Sequence, residues 1–187
     1  MPDEGTTTTG RTGATGAAGG ALVLTDDVVR RALRNCSKGE ASRLTVPASV
    51  RDVDTATDPV AGWRDPKAPE RAVLLVLDAG ADGAPRGLVL RAPTGGGARA
   101  AAMCDLCRTT RAAGDVALFA APRAGVAGRR GDTVGVYACA DLACARCVEV
   151  ERGTHALRPD PGRSVEERRA ALAGRAAAFV ASVLGER

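Results

Sequence analysis

The pattern of apolar and polar positions predicts several short strands. A continuous apolar run at 72–77 (Ala-Val-Leu-Leu-Val-Leu) indicates a buried strand. Glycines and a proline within 78–86 predict a hairpin loop, which makes 87–91 the return strand. Two more strands are predicted at 115–121 and 133–138, on either side of a glycine- and arginine-rich turn. These strands predict a small sheet of mixed or antiparallel pairing.

Three capping patterns place helices beside these strands. Thr25 precedes two aspartates and an apolar stripe, which is typical of a helix amino terminus. The segments 37–40 and 164–167 both match the S-x-x-E capping box. The second box opens a helix at 165–184 whose apolar stripe is expected to pack on the sheet. The predicted fold class is therefore α+β, with helices flanking the small sheet.

The remaining segments are predicted to be irregular. Residues 48–71 are interpreted as a loop that Trp63 anchors to the sheet, and 152–162 as a polar linker. Residues 1–22 are rich in Thr, Gly and Ala, which predicts a disordered tail. The length of the chain then predicts a single domain over 23–187.

Composition and charge narrow the expected environment. Aromatic residues make up only 2% of the chain, so its core is built from small aliphatic side chains and would gain from a metal cross-link. A formal net charge of +4 permits an anionic partner but does not require one. The amino terminus lacks the charged start and apolar core of a signal peptide, and no apolar run reaches membrane-spanning length. We therefore expect a cytoplasmic protein whose thiols bind metal rather than form disulfides.

Five clustered cysteines give the strongest chemical signal. They are spaced as C-x2-C, a gap of 31 residues, then C-x4-C-x2-C, and lie at Cys104, Cys107, Cys139, Cys144 and Cys147. Four thiolates close a tetrahedral zinc site, which supports folding and leaves no open position for water. A repeated C-x2-C selects Cys144 and Cys147 for the second pair, whereas C-x4-C selects Cys139 and Cys144. The spacing leaves both assignments open.

Catalytic patterns are weak by comparison. His155 is the only histidine and has no orienting carboxylate nearby on a predicted rigid element. The segment 94–97 (Thr-Gly-Gly-Gly) lacks the Lys-Ser/Thr of a phosphate-binding loop. Cys36 lies at a predicted helix end, where a buried structural thiol is favoured over a redox thiol. The sequence predicts that this chain is not an enzyme.

Five segments together resemble the FBP family, the elongation-factor-G-binding proteins related to FusB-type fusidic acid resistance factors. The resemblance extends over roughly residues 25–184. The segments are 35–41 (Asn-Cys-Ser-Lys-Gly-Glu-Ala), 62–66 (Gly-Trp-Arg-Asp-Pro), 103–107 (Met-Cys-Asp-Leu-Cys), 121–125 (Ala-Pro-Arg-Ala-Gly) and 131–144, which ends in Tyr-Ala-Cys-Ala-Asp-Leu-Ala-Cys.

The resemblance implies a treble-clef zinc finger beside a small α/β region. By position, the family pattern implies one structural zinc with the ligands Cys104, Cys107, Cys139 and Cys144, and leaves Cys147 as a spare thiol. FusB-type proteins also carry a separate amino-terminal helical bundle. Here the predicted tail and two short helices stand in its place.

The resemblance also implies a function. FusB-type members bind elongation factor G and help to free it from the ribosome when fusidic acid has trapped it. We expect this chain to bind the same factor through the finger and the adjoining turn, with Arg123, Arg129, Arg130 and Tyr137 as contact residues. The alternative is a zinc-dependent RNA- or ribosome-binding module, which the scarcity of aromatic residues disfavours. No membrane and no small-molecule substrate is expected.

Overall fold

A computed structural model describes residues 22–77, 83–93, 95 and 99–186. The strands in these segments form an antiparallel sheet of order β1-β2-β3-β6-β7 and a smaller antiparallel sheet of order β4-β5-β8. The strands are β1 (Val60–Asp65), β2 (Ala68–Val76), β3 (Arg86–Arg91), β4 (Ala102–Met103), β5 (Thr110–Arg111), β6 (Val116–Pro122), β7 (Thr133–Cys139) and β8 (Leu157–Arg158). The α+β class is confirmed.

The helices begin where the capping patterns predicted. Thr25 Oγ1 accepts a hydrogen bond from the Val28 amide, and the boxes opened by Ser37 and Ser164 are both formed. The helices are α1 (Asp26–Ala32), α2 (Lys38–Ser42), α3 (Gly125–Arg129), α4 (Cys144–Val148) and α5 (Val165–Leu184), with a 3-10 turn at Ala48–Val50.

The prediction of a loop over 48–71 is wrong, because this segment contains β1 and the start of β2. β1 pairs with β2 along its whole length, from Val60 opposite Val76 to Asp65 opposite Ala68. Because β1 contains a glycine and charged residues, its local sequence does not predict a strand. Pairing with the apolar β2 stabilises the strand conformation despite this weak local propensity. Trp63 is buried as expected, and its Nε1 donates to the Thr45 carbonyl at 3.1 Å.

Smaller differences occur elsewhere. The predicted linker 152–162 contains β8, and the glycine- and arginine-rich turn contains α3. A short helix that the capping patterns did not indicate, α4, begins at Cys144 in the second cysteine group. The predicted tail lies almost entirely outside the described residues.

Strand β2 divides the core into two layers. Leu74 and Val76 face one side and join a cluster with Leu172 and Phe179 of α5. The alternate residues Val73 and Leu75 face the other side and join the cluster that contains Trp63, α1 and α2. Because side chains alternate along a strand, a continuous apolar run is buried on both faces of the sheet.

The sheet opens between β3 and β6, where a single residue pair, Arg91 opposite Ala120, is in register. The Asn35 side chain bridges the gap. Its Nδ2 donates to the carbonyls of Val89 (3.0 Å) and Pro122 (2.9 Å), and its Oδ1 accepts from the Val89 amide (2.8 Å). The Asn35 side chain thus takes the place of a hydrogen-bonded backbone pair between β3 and β6. It provides partners for the Val89 amide and for the Val89 and Pro122 carbonyls.

Strand β1 supports the loop that carries the second cysteine group. A Cβ atom on Gly62 would lie 2.8 Å from Leu142 Cβ and 3.0 Å from the Leu142 carbonyl oxygen. Two residues further along, Arg64 Nε donates to the Ala140 carbonyl at 2.7 Å. Only glycine at position 62 allows the loop to approach the strand this closely.

We expect Gly62→Ala to destabilise the protein by about 1–3 kcal/mol, because the added methyl group overpacks a backbone contact. Gly174→Ala is the matched control: Gly174 is exposed in the middle of α5, and an added Cβ there meets nothing within 4 Å. That change should stabilise by about 0.5–1 kcal/mol. Urea unfolding of both variants measures the difference, and equal effects of the two substitutions would contradict the close approach.

Candidate metal centre

Four buried sulfurs converge at one end of the molecule's main sheet. The Sγ atoms of Cys104, Cys107, Cys139 and Cys144 all lie within 4.8 Å of one another. Cys104 Sγ is 3.7 Å from Cys144 Sγ, and Cys107 Sγ is 3.6 Å from Cys139 Sγ. Tetrahedral zinc with Zn–S bonds of about 2.3 Å requires S–S distances of about 3.8 Å. The donor set and its spacing therefore fit a zinc ion.

The first cysteine pair lies in a tight turn between β4 and β5. The Cys104 amide donates to the Thr109 carbonyl (3.0 Å), and the Arg108 amide donates to the Cys104 carbonyl (2.9 Å). Arg108 has a φ of 59°, in the left-handed region that closes such a turn. The Cys107 amide donates to Cys104 Sγ at 3.4 Å, a contact that stabilises negative charge on the sulfur.

The second pair lies at the junction of a strand and a helix. β7 ends at Cys139, and the Leu142 amide then donates to the Cys139 carbonyl at 2.8 Å. Leu142 has a φ of 56°, which turns the chain so that α4 begins at Cys144. This turn explains the C-x4-C spacing, because it brings the sulfur of the helix back toward that of the strand.

The first turn is also tied to the edge strand of the main sheet. The Asp105 amide donates to the Tyr137 carbonyl (2.7 Å), and the Tyr137 amide donates to Asp105 Oδ2 (3.0 Å). β7 is the last strand in the sheet order, so these two bonds pair part of its free edge. The cysteine turn therefore fixes the position of Tyr137.

Cys147 lies beside the four-sulfur set without belonging to it. Its Sγ is 3.8 Å from Cys139 Sγ and accepts a hydrogen bond from Arg111 Nη1 at 3.0 Å. Arg111 also lies 3.5 Å from Asp115 Oδ2 and 3.8 Å from Asp141 Oδ2. Sequence reasoning missed Arg111, because nothing in the local pattern links β5 to the cysteines of α4.

The buried thiols differ in their readiness to ionise. Hydrogen bonding with Cys104, and then with Cys139 and Cys144, lowers the pKa of Cys107 to about 3. Hydrogen bonding with Cys104 and Cys107, together with burial, raises the pKa of Cys144 well above its usual value. Thiols packed this closely cannot all carry negative charge unless a cation joins them, and a divalent metal supplies that charge.

The four residues predicted to contact a partner fall in two places. Arg123 and Arg129 line the same cavity, and Arg123 Nη1 donates to the Ser182 carbonyl at 2.6 Å. Arg130 is exposed at the end of α3. Tyr137 is half-exposed on β7, beside the cysteine turn. The structure thus does not bring the four into a single cluster.

Two other exposed apolar residues were missed by the sequence reasoning. Leu118 is directly opposite Tyr137 in the β6–β7 register and is 48% exposed. Met103, next to Cys104, is 49% exposed. An apolar residue in a strand is normally assigned to the core, so only the structure distinguishes the outward-facing Leu118 from its buried neighbours.

Among the described residues, no helix is both long and apolar enough to cross a membrane. A search of solved structures finds similarity to the fusidic acid resistance protein FusC, with a TM-score of 0.43 and 18% sequence identity. The match covers 58% of this chain and 46% of the FusC chain, so this protein matches less than half of FusC. No curated protein sequence matches significantly.

A family profile matches far more of the chain. The profile described as the FBP C-terminal treble-clef zinc-finger matches residues 28–183, which span both sheets, all four converging cysteines and nearly all of α5. The converging cysteines are the four that the family resemblance implied. The chain therefore belongs to the FBP family of C-terminal treble-clef zinc-finger proteins and has a structural zinc site.

Proposed function

We propose that this protein is a non-enzymatic zinc-finger protein that binds elongation factor G and promotes its release from the ribosome. The observation that carries the proposal is the family profile, which matches across the zinc finger and the sheet that supports it. A binding protein shifts its partner from one state to another only if it binds one of those states more tightly. A rigid binding surface favours this discrimination, and the metal centre supplies the rigidity.

Cys104, Cys107, Cys139 and Cys144 are the proposed zinc ligands. Their sulfurs are mutually close, whereas Cys147 has a separate partner in Arg111. When bound, zinc cross-links the first cysteine turn to the end of β7 and the start of α4. A site closed by four thiolates holds no water for hydrolysis, which agrees with a structural role.

The proposed contact surface consists of Met103, Leu118 and Tyr137, and we call it the finger face. All three side chains are about half exposed. The finger face is ordered by the metal centre, because Met103 precedes a ligand and Asp105 holds the Tyr137 backbone. Tyrosine and methionine are enriched at protein interfaces, where an apolar body is buried against a partner. Arg130 is a proposed peripheral contact.

The alternative of an RNA-binding module has less support in the structure. All four aromatic residues of the chain lie in the described segments, and Trp63, Phe119 and Phe179 are buried there. Tyr137 alone could stack on a base. Single-stranded RNA recognition normally uses several stacking platforms, so the finger face suits a protein partner better.

Neither Cys36 nor His155 is placed for catalysis. Burial, and secondarily the Glu40 carboxylate, raises the pKa of the Cys36 thiol to about 11. A thiol with this pKa is protonated at neutral pH and is a poor nucleophile. His155 is exposed in the segment before β8. Both placements agree with a protein that acts by binding.

The ligand assignment predicts that Cys139→Ser lowers zinc retention far more than Cys147→Ser. Removing a ligand opens the site, whereas removing Cys147 leaves all four ligands in place. Zinc content after dialysis against a mild chelator, measured by mass spectrometry, compares the two variants. Full chelation of the unmodified protein should also lower its melting temperature, since metal binding and folding share one free energy. A greater zinc loss in Cys147→Ser would overturn the assignment.

The finger face predicts that Tyr137→Ala weakens binding to purified elongation factor G by about tenfold or more, the size of a hot-spot effect. Val126→Ala is the matched control, because Val126 is a similarly exposed apolar residue on α3, outside the finger face. Calorimetry with the zinc-loaded chain measures both affinities. Absence of binding by the unmodified chain, or salt-sensitive binding to ribosomal RNA fragments in its place, would contradict the proposal.

The raised pKa of Cys36 predicts its alkylation behaviour. Because the thiolate reacts, the rate of alkylation should rise about tenfold per pH unit and should not level off below about pH 10. Iodoacetamide labelling of the zinc-loaded protein, followed by peptide mass spectrometry, measures this rate. A small free thiol, with a pKa near 8.5, should level off near pH 9 in the same assay. A plateau at that pH for Cys36 would show that the thiol is not shielded from water.

A further inference from the structure

A cavity of about 540 Å³ opens where β3 and β6 diverge. Two of the segments that carried the family resemblance, 35–41 and 121–125, meet at this cavity, and neither contributes to the metal centre. Asn35 fixes both walls, since its side chain is bonded to Val89 on one strand and to Pro122 on the other. The cavity is therefore a built feature of the fold, with a size typical of small-ligand sites.

The charge of the cavity is strongly positive. Four arginines line it, together with a single carboxylate, that of Glu40. The arginines come from four separate places in the fold and are Arg34, Arg91, Arg123 and Arg129. Glu40 Oε2 accepts hydrogen bonds from the Ser37 amide and hydroxyl, both at 2.9 Å, so this carboxylate is already engaged. Three positive charges are left uncompensated.

The arginine side chains are available to a ligand. Within the described segments, Arg34, Arg91 and Arg129 have no ion-pair partner. The Arg123 side chain is anchored by its bond to the Ser182 carbonyl. The Arg123 backbone carbonyl also lies so close to Gly128 that any Cβ there would overlap it. Placing several arginines around one cavity costs electrostatic free energy, and a bound anion would offset this repulsion. Arg91 also acts on the Glu40 carboxylate, since its charge helps to lower the pKa of that group. One anchored guanidinium group and three that form no salt bridge suit an anion with several oxygens.

The neutral groups that line the cavity restrict the class of possible ligand further. Both Nδ2 hydrogens of Asn35 are used within the fold, and the Ser37 hydroxyl is bonded to Glu40. No aromatic residue lines the cavity in the part of the chain that the structure describes. The cavity therefore offers no aromatic platform for a base, and its arginines make charge the main basis of recognition. The planar guanidinium fork matches phosphate oxygens well.

We propose that this cavity binds a compact phosphate-bearing anion, such as pyrophosphate or the phosphate chain of a nucleotide. Several guanidinium groups around one site favour a multiply charged phosphate over a single carboxylate. The inference does not depend on the partner proposed above, because the finger face and the cavity are formed by different residues.

Calorimetric titration of the full zinc-loaded chain with inorganic pyrophosphate tests the proposal. We expect saturable binding with one ion per chain, and about tenfold or more weakening in the double variant Arg34→Gln/Arg91→Gln, because each change removes charge-assisted hydrogen bonds. The matched control is Arg152→Gln/Arg158→Gln, which removes the same charge at two exposed arginines outside the cavity. The control should bind pyrophosphate as the unmodified chain does.

Three further ligands identify the source of the phosphate. ADP binding that the cavity variant weakens would identify a nucleotide, whereas binding of pyrophosphate alone would identify an inorganic ion. Either result supports the proposal. Equal binding of citrate, binding of an RNA oligonucleotide but not of small phosphates, or equal weakening by both double variants would overturn it. None of these measurements uses elongation factor G, so failure here is distinguishable from failure of the proposed function.

Discussion

The convergence of four sulfurs from two separate segments is the contact on which the rest of the architecture depends. The cysteine turn at 104–107 and the strand–helix junction at 139–144 meet through four sulfur atoms that lie within 4.8 Å of one another. The core around them is built from small aliphatic residues, with aromatic residues making up 2% of the chain. A metal cross-link adds to the folding free energy of such a core, because the unfolded chain has no preformed site.

The large sheet and the metal centre stabilise each other through backbone contacts. Gly62 and Arg64 of β1 hold the loop between Cys139 and Cys144, while Asp105 of the first turn pairs with Tyr137 on the edge strand. The finger is thus not a separate module that could move against the sheet. A rigid connection of this kind allows a structural metal to define the shape of a surface that lies outside its coordination sphere.

The molecule presents two surfaces of different character. The finger face is apolar and half exposed, and one of its members, Tyr137, is held by Asp105 of the cysteine turn. The arginine-lined cavity lies beside the Asn35 bridge between β3 and β6, and none of the four converging cysteines lines it. Arg123 and Tyr137, which the sequence analysis grouped together, lie on different surfaces.

The sequence by itself determined the elements whose signals are local. The caps at Thr25, Ser37 and Ser164, the long helix α5 and the apolar strand β2 follow from hydrogen bonds and periodicities between near neighbours. Tertiary structure alone decided the rest. β1 is a strand because it pairs with β2. Arg111 of β5 bonds to Cys147 of α4, and four arginines from different elements line the cavity between β3 and β6, although no local pattern links these residues. Spacing left the choice between Cys139 and Cys147 open, because sulfur positions depend on how a turn closes in three dimensions.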